Sequence, residues 1–166
     1  DFEIMAPVGS YESLMAAIKA GADSVYFGIE GLNMRARSAN NFTTEDLYKI
    51  AEICRDKGVK SYLTVNTVIY DEDIALMRSV IDAAQKAQIS AIIASDVAAM
   101  MYANEIGVEV HLSTQLNISN AEALRFYSRF ADVVVLAREL NMDQVRTIHE
   151  TIVRDNICGP KGHPVR

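Results

Sequence analysis

The sequence has 166 residues, of which 22 are acidic and 16 are basic, so the net charge at pH 7 is −6 with histidine neutral. Half of the residues are apolar and about a quarter are charged, a composition that excludes disordered, collagen-like and coiled-coil proteins. The acidic balance argues against charge-driven wrapping of nucleic acid, although a local basic cluster can still bind one specific RNA.

The cysteines and apolar runs narrow the class of protein further. Cys54 and Cys158 lie far apart and outside any CxxC pair, so the sequence predicts neither a zinc site nor a disulfide framework. No apolar run reaches the ~18 residues that a membrane helix needs. We therefore expect a cytoplasmic protein, and we interpret Asp1, which is not preceded by an initiator Met, as a trimmed end.

Strands and helices are predicted to alternate along the whole chain. Short apolar or β-branched runs are followed by segments whose apolar residues recur at i, i+3, i+4 and i+7, as in helices packed on a sheet. In chain order, the predicted strands are Glu3–Ala6, Ser24–Phe27, Lys60–Val65, Ala91–Ala94, Glu109–Leu112 and Val133–Leu136. A helix is expected after each strand, with candidate N-caps at Ser10, Thr43, Asp71, Asp96, Ser119 and Asn141.

This alternation predicts an α/β fold with a parallel sheet and right-handed crossovers. No GxGxxG follows the first strand and the six units are evenly spaced, which favours a (β/α) TIM-barrel-like fold over an open doubly wound sheet. A complete barrel has eight units in typically ~250 residues, so we expect about six of eight. We predict a partial barrel over 1–155 and a tail over 156–166 that leads toward the next strand. The unpaired edges of such a sheet are expected to be exposed and to drive self-association.

Ligands of this architecture bind beyond the carboxyl ends of the strands, so the residues directly after each strand are the candidates. The predicted substrate-binding residues are Arg35, Arg37, Asn66, Gln115, Asn117, Arg138 and Glu139, with Ser10, His111 and Ser113 as weaker candidates.

Three of these groups have two readings each. The two loop arginines, Arg35 and Arg37, are separated by one residue. They either bind a carboxylate or phosphate together or are solvated surface residues. Arg138 beside Glu139 forms either an anion site or a structural ion pair. The run 113–117 is dense in hydrogen-bonding groups, so it either reads a planar polar ligand such as an amide or base edge or is a simple polar turn.

The sequence does not identify a catalytic residue. His111 shares a strand face with Ser113 and is either a core histidine or a catalytic one. Side chains at i and i+2 of one strand stand ~7 Å apart, too far for direct proton transfer from a serine nucleophile. Neither GxSxG nor HExxH occurs, and Cys158 and His163 lack a second pair of ligands, so no metal site is predicted.

Several strings resemble the U32 peptidase family, whose members are labelled collagenase-like proteases. The resemblance runs in matching order from Ile4 to about Ile148. It is carried by IMAPVGS at 4–10, AGADSVYFG at 20–28, the 33–42 loop with its Arg-Ala-Arg core, LTVNT at 63–67, STQLN at 113–117 and LAREL at 136–140.

The resemblance implies functions that the residues alone do not. Better-understood members hydroxylate RNA bases, either tRNA uridine or rRNA cytidine, or take part in ubiquinone hydroxylation. It also implies an RNA partner, prephenate and an iron–sulfur cluster, which family members hold through cysteines that follow the next strand. Cys54 and Cys158 do not match those ligands, so no cofactor is expected within this sequence.

We therefore expect the N-terminal part of a U32 barrel. The parent protein is expected to be an enzyme, with RNA-base hydroxylation as the main interpretation and genuine peptidase activity as the alternative. The chain by itself is expected to be inactive and to act as a folding or binding module.

Overall fold

The computed structural model describes residues 2–29, 31–32 and 42–166. Within them, the strands are β1 (Met5–Pro7), β2 (Ser24–Phe27), β3 (Lys60–Val65), β4 (Ala91–Ala94), β5 (Val110–Leu112) and β6 (Val133–Val134). The α-helices are α1 (Tyr11–Lys19), α2 (Thr44–Asp56), α3 (Ile74–Lys86), α4 (Val97–Ile106), α5 (Ala121–Tyr127) and α6 (Met142–Arg154). Short 3-10 helices at Asp71–Asp73 and Thr114–Leu116 precede α3 and follow β5. None of these helices is long and apolar enough to cross a membrane.

The six strands form one parallel sheet in the order β1-β2-β3-β4-β5-β6. Among the described residues β1 and β6 do not pair with each other, so the sheet is an open half-barrel with the helices on one side. This confirms the TIM-barrel-like α/β fold predicted from the alternating pattern.

Three inner strands have the predicted bounds, whereas β5 and the two outer strands differ. β5 begins at Val110 rather than at Glu109. β2, β3 and β4 begin and end as predicted. β1 runs from Met5 to Pro7 rather than from Glu3, and β6 ends at Val134 rather than at Leu136. At the edge of the sheet the backbone has other partners: the amide of Ile4 donates to the carboxylate of Asp23 at 2.8 Å.

The hydrophobic core lies between the convex face of the sheet and the helices. Alternate strand residues supply one side of it, including Val25, Phe27, Leu63 and Leu112, which are at most 2% exposed. The predicted apolar stripes supply the other side: Leu47, Ile50, Ala51 and Cys54 on α2, and Met77, Val80, Ile81 and Ala84 on α3, are buried. The residues between them therefore face the concave side of the half-barrel.

Helix N-termini confirm four predicted caps and correct two. Oδ1 of Asp96 accepts a hydrogen bond from the amide of Ala98 at 2.8 Å and caps α4. Ser10, Thr43 and Asn141 each form a capping box. Asp71 instead begins a 3-10 helix, and α3 starts three residues later. Ser119 is wrong as the cap of α5, because the adjacent Asn120 has the extended backbone and its Oδ1 accepts a hydrogen bond from the amide of Ala123 at 2.8 Å.

This correction predicts different effects for two neighbouring substitutions. Asn120→Ala removes the acceptor for the first turn of α5 and should lower the free energy of unfolding by ~1 kcal/mol. Ser119→Ala, its matched control, should leave that free energy unchanged because Ser119 is exposed and is not the cap. Urea denaturation of both variants measures the difference. An equal loss in the two variants would contradict the assignment.

The residues after α6 fold back onto the outer edge of β6. Cys158 and Pro164 form an antiparallel bridge, and the amide of Val165 donates to the carbonyl of Ile157 at 2.9 Å. The amide of Arg166 then donates to the carbonyl of Asp132 at 3.1 Å, and the amide of Val134 donates to the carbonyl of Arg166 at 2.8 Å. Arg166 therefore pairs with β6 in the pattern of a parallel strand. The expectation of exposed, unpaired sheet edges is wrong at β6, because this segment covers the outer edge of that strand.

Candidate substrate site at the carboxyl edge of the sheet

The residues that follow β3, β4 and β5 are neighbours at one edge of the sheet. The hydroxyl of Ser95 donates to the carbonyl of Asn66 at 3.1 Å. The amide of Ser113 donates to the carbonyl of Ala94 at 2.9 Å. These bonds connect the carboxyl ends of β3, β4 and β5 and place the candidates Asn66 and Ser113 on a continuous rim.

The loops after β5 and β6 are also joined. Ile118 bridges Leu136 in parallel, and the amide of Ala137 donates to the carbonyl of Ile118 at 2.9 Å. Asn117 precedes this bridge and Arg138 follows it. The structure therefore brings these two sequence-predicted residues to the same part of the rim.

In the polar run 113–117, some groups bind the local backbone and others are available to bind a ligand. The hydroxyl of Ser113 accepts a hydrogen bond from the amide of Gln115 at 3.3 Å and so caps the 3-10 helix. Asn117 ends that helix in the left-handed conformation, with φ of 49°. The side chains of Gln115 and Asn117 are exposed and make no hydrogen bond within the part of the chain that the structure describes. Their amides are therefore available to a ligand.

Arg138 and Glu139 are both exposed at the rim. Among the described residues, neither takes part in an ion pair. The structural pair that their adjacency suggested is not formed, and the guanidinium group of Arg138 is directed to no carboxylate in these ranges. Arg35 and Arg37 lie outside the described residues.

One further rim residue was left out of the predicted set. Thr67 follows Asn66, and its Oγ1 atom is buried with no hydrogen-bond partner among the described residues. Leaving a buried hydroxyl unpaired costs roughly 1–3 kcal/mol. A ligand at this rim that forms a hydrogen bond with the Thr67 hydroxyl would remove this cost. The sequence signal was its position two residues beyond the end of β3.

Ser10 lies on the same edge but has a structural role. Its hydroxyl accepts a hydrogen bond from the amide of Ser13 at 3.1 Å, and the hydroxyl of Ser13 accepts one from the amide of Ser10 at 3.0 Å. This reciprocal pair is the capping box of α1, and it occupies the hydroxyl of Ser10.

His111 lies on the concave face below the rim, and it does not contact Ser113. Its Nε2 atom is 2.8 Å from Oε2 of Glu109, and its ring centroid is 4.9 Å from that of Tyr62. The hydrogen bond with His111 lowers the pKa of Glu109 despite burial. Among the described residues no serine–histidine pair is formed at this strand, so His111 is a buried histidine held by a carboxylate.

The sequence did not predict the partners of His111. Tyr62 donates its hydroxyl to Oε1 of Glu3 at 2.6 Å, and burial, together with that carboxylate, raises the pKa of Tyr62. The signal was present as polar residues at alternate positions of two otherwise buried strands, Lys60 and Tyr62 on β3 and Glu109 and His111 around β5.

The cysteines do not fit an iron–sulfur cluster. Cys54 is fully buried on α2, where burial raises the pKa of its thiol to about 11. Cys158 lies beyond α6. Across the described ranges, no three His, Cys, Asp or Glu side chains are placed to hold a metal ion. We therefore derive no chemical step from a cluster on these residues.

Comparison with known proteins finds relatives that are named as proteases and relatives that are named as RNA hydroxylation proteins. The model of peptidase family U32 matches residues 9–157. A collagenase of Porphyromonas gingivalis is 73% identical over 126 residues, covering 73% of this chain and 33% of the collagenase. The tRNA hydroxylation protein P1 of Bacillus subtilis is 33% identical over 153 residues, covering 90% of this chain and 36% of that protein.

Among solved structures, a U32 peptidase superposes with a TM-score of 0.74 at 16% identity, over 90% of this chain and 65% of that one. At this identity the superposition supports the fold alone. The chain spans about a third of the length of the curated relatives it matches.

Proposed function

The chain belongs to peptidase family U32, and from this premise we propose that the whole protein hydroxylates an RNA base, either uridine of tRNA or cytidine of rRNA. The observation that carries the proposal is the rim on which Gln115, Asn117 and Arg138 lie together without partners among the described residues. The relative named tRNA hydroxylation protein P1 supports it, since its similarity covers 90% of this chain.

The rim has the chemistry that a nucleotide requires. The side-chain amides of Gln115 and Asn117 offer both donors and acceptors, as the edge of a pyrimidine does. Arg138 offers a planar set of donors that suits a phosphate or a carboxylate. The dicarboxylate prephenate, which the family resemblance implies, is an anion of the same kind, and we propose Arg35, Arg37 and Arg138 as the residues that hold it or the RNA phosphate.

The second candidate is a peptidase. It is favoured by one observation, the 73% identity to a protein named collagenase. The described residues do not supply its chemistry at β5, because Nε2 of His111 contacts Glu109 rather than Ser113. We therefore rank it below RNA hydroxylation.

The partner and place of action follow from the main proposal. The partner of the whole protein is tRNA or rRNA, and the place of action is the cytoplasm. For the chain alone we propose no activity and self-association through the β1 edge, where Ile4 is 55% exposed and Met5 is 44% exposed.

The double variant Arg35→Ala/Arg37→Ala of the whole protein tests the anion site. It should lower the yield of hydroxylated nucleoside about tenfold or more, because charge-assisted hydrogen bonds to an anion are lost. Arg154→Ala is the matched control, since Arg154 is an exposed arginine in the last turn of α6, at the end opposite the rim, and is paired with Asp155. Mass spectrometry of digested cellular RNA measures the product. Equal yields from the double variant and the control would remove the anion site from the proposal.

A further inference from the structure

The concave face of the half-barrel carries a polar layer near the amino ends of the strands. Its members are Glu3, just before β1, Tyr62 on β3, His111 on β5 and Arg166, which pairs with the outer edge of β6. In (β/α) barrels each interior layer takes its side chains from alternate strands, and bulky Val, Ile and Leu dominate. This layer also takes its side chains from alternate strands, but those side chains are polar rather than Val, Ile or Leu.

On one side of the layer, Tyr62 reaches across β2 to the start of the chain. Its hydroxyl donates to Glu3 at 2.6 Å, and Lys60 Nζ lies 3.7 Å from the other oxygen of the same carboxylate. Burial opposes ionisation of Glu3, but the hydrogen bond from Tyr62 and the charge of Lys60 favour the carboxylate, and the pKa of Glu3 is lowered. The carboxylate is thus the charged acceptor that links β3 to the segment before β1.

On the other side, Glu109 links β5 to the segment after α6. Its Oε2 atom is 2.8 Å from Nε2 of His111, and its Oε1 atom is 3.8 Å from the guanidinium group of Arg166. The link reaches across β6 in the way that the Tyr62 link reaches across β2. The rings of Tyr62 and His111, with centroids 4.9 Å apart, connect the two sides.

The two outer segments have few other attachments on the concave side. Ile4 is bound to Asp23 and Ser24 at the start of β2. Its carbonyl accepts from their amides at 2.9 and 3.1 Å, and its amide donates to the carboxylate of Asp23 at 2.8 Å. Arg166 makes the two backbone bonds to β6 described above. Between the segments lies a cavity of about 630 Å³, so apolar packing from this side contributes little to holding them.

We propose that this polar layer is a clasp that fastens both outer segments of the sheet to its central strands, Glu3 to β3 and Arg166 to β5. Hydrogen bonds suit this task because they are directional and fix one register, whereas apolar side chains bordering an open cavity do not. The clasp has two halves, and each half holds its own segment.

Amide hydrogen exchange of the 166-residue chain, read residue by residue by NMR, tests the two halves separately. Tyr62→Phe removes only a hydroxyl, and it should speed exchange of the Asp23 and Ser24 amides roughly three- to tenfold. Glu109→Ala should speed exchange of the Val134 and Arg166 amides by a similar factor. The amide of Ser113, which binds the carbonyl of Ala94 in the central sheet, should keep its rate in both variants.

Exposed counterparts serve as controls. Tyr48→Phe and Glu52→Ala alter an exposed tyrosine and an exposed glutamate of α2 and should change none of these rates. Where Glu109→Ala does not fold, Glu109→Gln keeps the side-chain volume and should give the same pattern at smaller size. Unchanged rates at both ends, or equal acceleration at the ends and at Ser113, would overturn the clasp.

Discussion

Gly159→Ala should lower the free energy of unfolding by about 1–3 kcal/mol, the range for forcing extra atoms into a packed site. A Cβ at position 159 would lie 2.6 Å from Oδ1 of Asp132 and 2.8 Å from both the Ala131 carbonyl oxygen and the Asp132 Cα. Two of these three atoms belong to the backbone just before β6, and backbone cannot move aside as a flexible side chain can.

The clash also disturbs a buried polar contact. Asp132 is 5% exposed, and its Oδ1 atom accepts a hydrogen bond from the amide of Lys161 at 3.0 Å. Relief of the clash would displace this carboxylate from its donor. Gly159 therefore permits the close approach that lets the residues after α6 dock on β6.

Gly9→Ala is the control for this substitution. A Cβ at Gly9 would meet no atom within 4 Å, and the backbone there has no positive φ. Its free energy of unfolding in urea should match that of the unmodified chain. A Gly159→Ala variant as stable as Gly9→Ala would show that the segment after α6 does not pack on β6 as described.

Arg138→Ala of the whole protein should lower hydroxylation about ten- to a hundredfold, the loss expected for hydrogen bonds between a charged donor and an anion. Arg138 is exposed at the rim beside the bridge of Ile118 and Leu136, and no carboxylate of the described residues pairs with it. Its removal should not disturb the fold, because its side chain supports no other described group.

Arg138→Lys separates charge from geometry. Lysine keeps the positive charge but not the planar pair of donors, so an intermediate rate indicates bidentate binding of a phosphate or carboxylate. Arg154→Ala, on the last turn of α6 and paired with Asp155, should retain the full rate. Full activity of Arg138→Ala would exclude this arginine from the site.

The sequence predicts the centre of the sheet better than its edges for a physical reason. β2, β3, β4 and β5 pair on both sides, so their bounds follow the apolar pattern that burial imposes to within one residue. The outer strands β1 and β6 depend on partners distant in sequence, such as Asp23 for Ile4 and Arg166 for Val134. No local pattern records those partners.

Residue type alone also does not decide which of two neighbouring residues caps α5. Ser119 and Asn120 are both good cap residues by type, and only the backbone conformation decides between them. Asn120 has the extended φ of −152° that the cap requires. Type and spacing therefore predicted that α5 is capped there, and the tertiary path of the loop selected the residue.

The rim could be predicted in part and the polar layer could not. The rule that ligands bind beyond the carboxyl ends of strands placed Asn66, Asn117 and Arg138 on one edge. In the structure the loop of Asn66 is bonded to the loop after β4, and the loops of Asn117 and Arg138 are bonded to each other. Strand alternation predicted that His111 faces the concave side of the sheet. It did not predict how far along the strand direction His111 lies relative to Tyr62. Its contact with Tyr62 depends on the stagger of β3 and β5, which are separated by β4 and share no direct pairing.

The central claim is that the whole protein hydroxylates an RNA base. The most direct test compares tRNA and rRNA from cells that carry or lack the whole protein, because the cell supplies the two-electron oxidant that hydroxylation needs, and it incubates the purified protein with gelatin in parallel. Mass spectrometry of the digested RNA should show one added oxygen atom on uridine or cytidine, and the gelatin should remain intact. Unmodified RNA together with cleaved gelatin would contradict the proposal and support the peptidase candidate.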